Sequence, residues 1–295
     1  MGYVLRATAS DSYVRIFAAI TTDIVEKARQ IHGTSPTASA ALGRLLTASS
    51  MMGTMLKGDK DTLSISLNGG GIAGNLLAAS NSTGNVRGYI SHPEANLPLN
   101  KKGKLDVSGI VGKDGMLNVV KDMGLKEPYS GQVPLYSGEI AEDIAYYFAE
   151  SEQVPSAVAL GVLVDTDTSI KSAGGLIIQM MPDADPLLSD LITYRLKELP
   201  PISSLIAVGK SGEDILKMLF DDMNLKVHEK IDTSYVCNCS RDRVENALAA
   251  LGASEIQDLM KENKPIEIQC HFCSRKYEFS VDELNSILKR QTSKD

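Results

Sequence analysis

The chain has 295 residues, 43% of them hydrophobic and 23% charged, so it is long enough for two or three domains and too apolar to be mainly disordered. Its net charge of −7 argues against a general binder of nucleic acid or anionic membrane, either of which needs an excess of Lys and Arg. With 10 Tyr, 5 Phe and no Trp, flat-ring platforms for bases or sugars are not expected.

The first residues, Met1-Gly2-Tyr3-Val4-Leu5-Arg6, have no apolar stretch behind a basic start and no small-residue cleavage site. No run of about 18 uncharged apolar residues follows, so no membrane span is expected. The expected compartment is the cytoplasm. There, cysteines serve as ligands or redox groups more readily than as structural disulfides.

Ser35 as N-cap, Pro36 at the first helical position and Gly58 as a stop predict a helix through Lys57. Arg44 is its only interior charge and small or apolar residues occur all round, so it should be covered on every side. Strands are predicted at Leu63–Leu67, which alternates strictly before the Gly69-Gly70-Gly71 turn, and at Asn85–Ile90, Leu117–Val120 and Tyr129–Leu135. Two more are predicted at Ser156–Val164 and Gly174–Met181, with a helix over Glu139–Gln153 between the two groups. Met181-Pro182-Asp183-Ala184-Asp185-Pro186 then marks a boundary. Beyond it Leu187–Leu199, Ile202–Ala207 and Ser211–Met223 read as short helices with apolar stripes, too short for a core of their own.

From about Ile231 the pattern changes. Ser240 caps a helix carrying Val244, Leu248 and Leu251, which Gly252 ends. Ser254 starts another, with Ile256, Leu259 and Met260 inward. Ile266–Cys270 and Lys276–Phe279 read as a hairpin, and Ser280 with Glu283 forms the capping box of a last helix. The fold class is α+β. It comprises a core of antiparallel sheets around a long buried helix (1–181), a helical linker (182–230) and a small C-terminal domain (231–295).

All four cysteines lie in that last domain, as Cys237-Asn238-Cys239 and Cys270-His271-Phe272-Cys273. Two close pairs separated by one stretch supply four thiolates to a single tetrahedral metal, and thiolate softness favours zinc. One Zn2+ per chain is the expected cofactor. A domain of about sixty residues is marginal unaided, and structural zinc contributes on the order of 10–16 kcal/mol. The same thiolates are the reactive form of cysteine, so the spacing fits both a closed structural zinc site and a redox switch. A thioredoxin-type oxidoreductase would place its Cys-x-x-Cys at a helix N-terminus, whereas here it joins two strands. Residues 231–295 carry nine Lys or Arg against eleven Asp or Glu, a poor balance for a nucleic-acid zinc ribbon. Val208-Gly209-Lys210-Ser211 lacks the first glycine of a P-loop, which is Ser204 here, and no G-x-S-x-G elbow occurs. Neither a nucleotide site nor an enzyme is expected.

The cysteine arrangement closely resembles that of the heat-shock protein 33 family, the redox-regulated 33 kDa chaperonins. Further motifs carry the resemblance in order along nearly the whole chain: Leu5–Ala9, Ala40–Arg44, Gly88–Ile90, Tyr146–Ser156, Ala173–Gly175 and Cys237–Ser240. It implies a stress-response holdase that keeps unfolding or oxidatively damaged proteins from aggregating without ATP, inactive while reduced and zinc-bound. It also implies activation by Cys237–Cys239 and Cys270–Cys273 disulfides, zinc release and unfolding of the regions beyond the core. The alternative is a constitutive zinc-stabilised binding module. On this view Cys237, Cys239, Cys270 and Cys273 hold the metal. Leu187, Leu188, Leu191 and Ile192, with Ile215, Leu216, Leu219 and Phe220, form the client-binding stripe, which the folded C-terminal domain helps to cover. Partners would be unfolded clients and, on activation, a second copy of the chain; no nucleic acid or membrane is expected.

Overall fold

The structure, a computed structural model, describes residues 1–251, 253–261 and 264–292. Contacts divide the chain into two compact units, Met1–Val236 and Cys237–Asp295. No helix among the described residues is long and apolar enough to cross a membrane.

The first unit opens with β1 (Gly2–Ala9), β2 (Val14–Ile20), α1 (Thr22–His32) and α2 (Pro36–Gly53). It continues through β3 (Thr62–Gly70), β4 (Leu76–Asn81), β5 (Val86–Ile90), α3 (Val107–Val111), β6 (Gly112–Asp122) and β7 (Tyr129–Pro134). Next come α4 (Ala141–Glu150), β8 (Ser156–Val164) and β9 (Ile170–Met180), then α5 (Pro186–Glu198), α6 (Ile202–Ala207), α7 (Gly212–Phe220) and β10 (Lys226–Thr233). The strands make two antiparallel five-stranded sheets, ordered β10-β1-β2-β9-β8 and β5-β4-β3-β6-β7.

Helix α2 touches strands of both sheets, and every residue in it except Pro36 and Arg44 is buried. Its small residues permit this. A Cβ on Gly43 would come 2.6 Å from Val25 Cγ1, and one on Gly53 would come 2.5 Å from the Asn81 carbonyl oxygen. Ser35 Oγ accepts from Ala38 N at 3.1 Å, as an N-cap should. The helix ends at Gly53, short of the expected Lys57, because Thr54 Oγ1 donates to the Met51 carbonyl at 2.7 Å and the chain turns there. Gly69 and Gly70 belong to β3, in a bulge against Gly112, rather than to a turn after it. Arg44 donates to Glu139 Oε2 at 2.6 Å and so joins α2 to the segment before α4.

That segment is held by one buried carboxylate. Asp143 is fully buried and accepts from the backbone N–H groups of Tyr136, Ser137 and Gly138 on Oδ1 and of Ile140 on Oδ2, at 2.8–3.2 Å. The bonds hold Ile140, a β-branched residue, at φ +71°, where such residues are strained. Asp143→Ala leaves these donors without their acceptor, so equilibrium urea unfolding should show a loss of about 3–5 kcal/mol. A loss below about 1 kcal/mol would contradict this role.

The outer face of the first sheet is covered by α5, α6 and α7. Leu5, Ala7, Val14, Ile16, Leu176 and Ile178 of the sheet form one core with Ile192, Ile202, Leu205, Ile215, Leu216, Leu219 and Phe220. The apolar stripe expected to rely on the C-terminal domain is thus covered by the first unit's own sheet, on which 182–225 pack before β10 returns beside β1. Arg195 fastens the helices to one another, donating at 2.6 Å to the Leu219 carbonyl and to both oxygens of Asp222.

The second unit contains α8 (Arg241–Ala249), α9 (Ala253–Met260), the hairpin β11 (Ile266–Gln269) and β12 (Lys276–Phe279), and α10 (Val281–Thr292). Among the described residues its core is small: Leu248, Ile256, Tyr277, Phe279, Leu284 and Ile287. Ser240 Oγ accepts from Arg243 N, and Ser280 and Glu283 make the expected reciprocal capping box. Leu259, expected to point inward, is 39% exposed, and the stop expected at Gly252 lies outside the described residues.

Candidate metal centre

The four cysteines come from two places in the second unit. Cys237 and Cys239 lie on the extended segment that Ser240 ends by capping α8, and Cys270 and Cys273 occupy the turn joining β11 to β12. That turn closes through Ser274 N donating to the Cys270 carbonyl and Cys270 N donating to the Arg275 carbonyl, both at 2.9 Å. Ser274 takes φ +57°, which reverses the chain and brings both sulfurs to one side. The end of the first unit is itself tied down: Val86 N donates to the Ser234 carbonyl and Val236 N to the Val86 carbonyl. Tyr235 Oη donates to the Gly88 carbonyl at 2.8 Å.

The four sulfurs lie within 4.8 Å of one another, each thiol partly exposed. Cys237 Sγ is 3.7 Å from Cys270 Sγ, and Cys239 Sγ is 3.2 Å from Cys273 Sγ. Four sulfurs at about 2.3 Å from a central zinc stand roughly 3.8 Å apart, so this arrangement could hold a metal ion with small side-chain shifts. The donor set fits a soft, four-coordinate cation.

Tyr277 is a participant that the cysteine spacing does not reveal. Its hydroxyl donates to Cys239 Sγ at 3.1 Å. The alternation Lys276-Tyr277-Glu278-Phe279 was the available signal, because it sends Tyr277 to the same inward face as Phe279. Burial pushes the Cys237 thiol up to about 12, and it raises Cys273 as well. Burial acts on Cys239 too, but hydrogen bonds from Tyr277 and the neighbouring sulfurs outweigh it and bring that thiol down to about 7.

The expected client-binding residues are dispersed in exposure. Ile192, Ile215, Leu216, Leu219 and Phe220 are buried against the first sheet, and Leu188 is packed at the edge of the same core. Leu187 and Leu191 face solvent, at 72% and 39% exposure.

Comparison with known proteins gives matches over nearly the whole chain. A family model described as Hsp33 protein matches residues 2–280. The 33 kDa chaperonin of Clostridium botulinum strain Alaska E43 is 53% identical over 291 residues, 99% of each chain. That of strain Langeland is 54% identical over 290 residues, 98% of each. Among solved structures, the 33 kDa chaperonin (heat shock protein 33 homolog) of Thermotoga maritima superposes with a TM-score of 0.89 at 39% identity, covering 99% of each chain.

Proposed function

The chain belongs to the Hsp33 family, and from that premise we propose that it is a cytoplasmic, ATP-independent holdase switched by oxidation of its four-cysteine cluster. The observation that carries the reading is the gathering of four sulfurs within 4.8 Å in a unit with so small a core. In the reduced state Cys237, Cys239, Cys270 and Cys273 would hold one Zn2+, which cross-links the two halves of the second unit and keeps the sulfurs as thiolates. Unfolded proteins are the clients.

The switch is a two-electron oxidation. The Cys270 and Cys273 thiolates give up two electrons and join as a disulfide, while hydrogen peroxide takes those electrons and two protons to become two waters. Two of four donors are then gone and the remaining pair cannot complete the shell. Oxidation of Cys237 and Cys239 removes the rest. We assign residues 1–181 to the core, 182–230 to a gate carrying the client stripe, and 231–295 to the switch. Stripe residues freed from the sheet would bind clients or a second copy of the chain, so activation should favour dimers.

Order of bonding gives a direct prediction. Three pairings of four cysteines are possible. Local pairs close the shortest loops, and the Cys-x-Cys ring is tighter than Cys-x-x-Cys. Peptide mapping after brief peroxide should show Cys270–Cys273 first and Cys237–Cys239 later, with zinc release in step. A main product linking Cys237 or Cys239 to Cys270 or Cys273 would overturn this assignment.

A constitutive zinc-stabilised binding module is the second reading. The cover of Ile215, Leu216, Leu219 and Phe220 by the first unit's own sheet favours it, since that cover does not itself involve the cysteines. Aggregation suppression by reduced and by peroxide-treated protein separates the two.

A further inference from the structure

The Leu5–Ala9 run, on which part of the family resemblance rests, is not used by the cysteine cluster. Its side chains divide by alternation. Leu5, Ala7 and Ala9 enter the core under the helices, whereas Arg6 and Thr8 point to the other face of the sheet. There they stand opposite Phe17 and Arg15 of β2, and with Glu229 and His228 of β10 they line a groove of about 530 Å³. That volume is within the usual range for small-molecule sites.

Arg15 is the unusual residue. Its Nε and Nη2 both donate to Gln179 Oε1, at 3.1 and 2.5 Å, its guanidinium lies 5.5 Å from the Phe17 ring centroid, and it takes part in no ion pair among the described residues. A half-buried cation with no carboxylate in direct contact is costly. Burial first, and then the charge of Arg6, hold Arg15 below the ordinary arginine range, and the charge of Glu152, which is not in contact with it, offsets this only in part. The neighbouring charge is no substitute partner: Arg6 is itself a cation, paired at 3.2 Å with Glu229 across an exposed, weakly held contact. Thr8 Oγ1 and His228 Nε2 share a hydrogen bond of 2.8 Å at the same wall.

We propose that this groove binds a phosphate group, held between the guanidinium groups of Arg15 and Arg6 with Thr8 and His228 alongside. A carboxylate is satisfied by one planar fork, whereas these donors approach from three adjacent strands, as a tetrahedral dianion requires. Binding neutralises Arg15 and releases Arg6 from its exposed partner. The ligand is inorganic phosphate or the phosphate of a small monoester, and the two share this recognition.

Calorimetric titration of the full-length, reduced, zinc-loaded chain in a phosphate-free buffer tests the site. The probes are inorganic phosphate, glycerol phosphate and acetate at matched ionic strength. Saturable one-to-one binding of a phosphate probe, at least tenfold tighter than acetate and weakened at least tenfold in Arg15→Gln, is expected. Arg6→Gln, at the groove's exposed rim, should weaken binding by a similar factor and serves as the readout if the Arg15 variant folds poorly. Tighter binding of glycerol phosphate identifies a small phosphorylated molecule as the ligand; equal or tighter binding of inorganic phosphate identifies the free ion. Absence of saturable phosphate binding, binding no tighter than acetate, or phosphate binding unchanged in Arg6→Gln would each overturn the proposal.

Discussion

Replacing any one of Cys237, Cys239, Cys270 and Cys273 by Ser is expected to remove most of the bound zinc and leave the second unit largely unfolded, while the two sheets around α2 stay folded. The asymmetry follows from the two cores. Helix α2 and both sheets share an apolar core built from some thirty-five buried side chains, whereas the second unit has six among the described residues. A unit of about sixty residues buries only about 60% of its unfolded surface, which leaves little net stability. Structural zinc contributes on the order of 10–16 kcal/mol, more than such a core supplies, so losing it should abolish the fold rather than loosen it. Zinc content by metal analysis and per-residue amide exchange provide the readout. A variant with unchanged zinc and unchanged thermal unfolding would remove these residues from the metal site.

Oxidation is expected to strip amide protection from α5–α7 together with the second unit, by orders of magnitude, while β1, β2 and β9 keep theirs. The helices are the part of the first unit most ready to open. Leu187, Leu191, Tyr194, Val208 and Met218 already face solvent, and β10, which follows them, is an edge strand exposed along most of its length. Each buried stripe residue contributes about 1.5–3 kcal/mol, and each ordered backbone residue costs about 1–2 kcal/mol, so the segment is held by a small difference of comparable terms. Segments of that kind open first. If 237–295 alone lost protection while chaperone activity appeared, residues 182–230 would not be the gate. The client surface would then lie elsewhere on the first unit.

Much of this was legible from residue pattern because the relevant physics is local. Ser35-Pro36 marks the start of α2, the lack of a polar face marks its burial, and Ser280 with Glu283 marks α10. The gathering of the cysteines is legible for the same reason: the spacing within each pair is set by a few consecutive residues. Strands β2 and β9 were harder. Both their faces are buried over most of their length, so they lack alternation, and only Gly174–Met181 of β9 stood out. Strand β10 was missed for the opposite reason, since Lys226, His228, Glu229, Lys230 and Asp232 give an edge strand almost no apolar signal. The cover over the Ile215–Phe220 stripe could not be read locally at all. It is a tertiary fact, supplied by Leu5, Ile16 and Ile178, which lie far away in sequence.

The central claim is that the redox state of the cluster sets chaperone activity. It is tested most directly by light scattering of a thermally unfolding client, with zinc release followed in the same sample. Reduced, zinc-loaded protein should leave aggregation unchanged. Suppression should appear after peroxide in step with zinc release, and disappear when thiol reductant and zinc are restored. Equal suppression by reduced and oxidised protein, or suppression that appears while the zinc is retained, would contradict the switch.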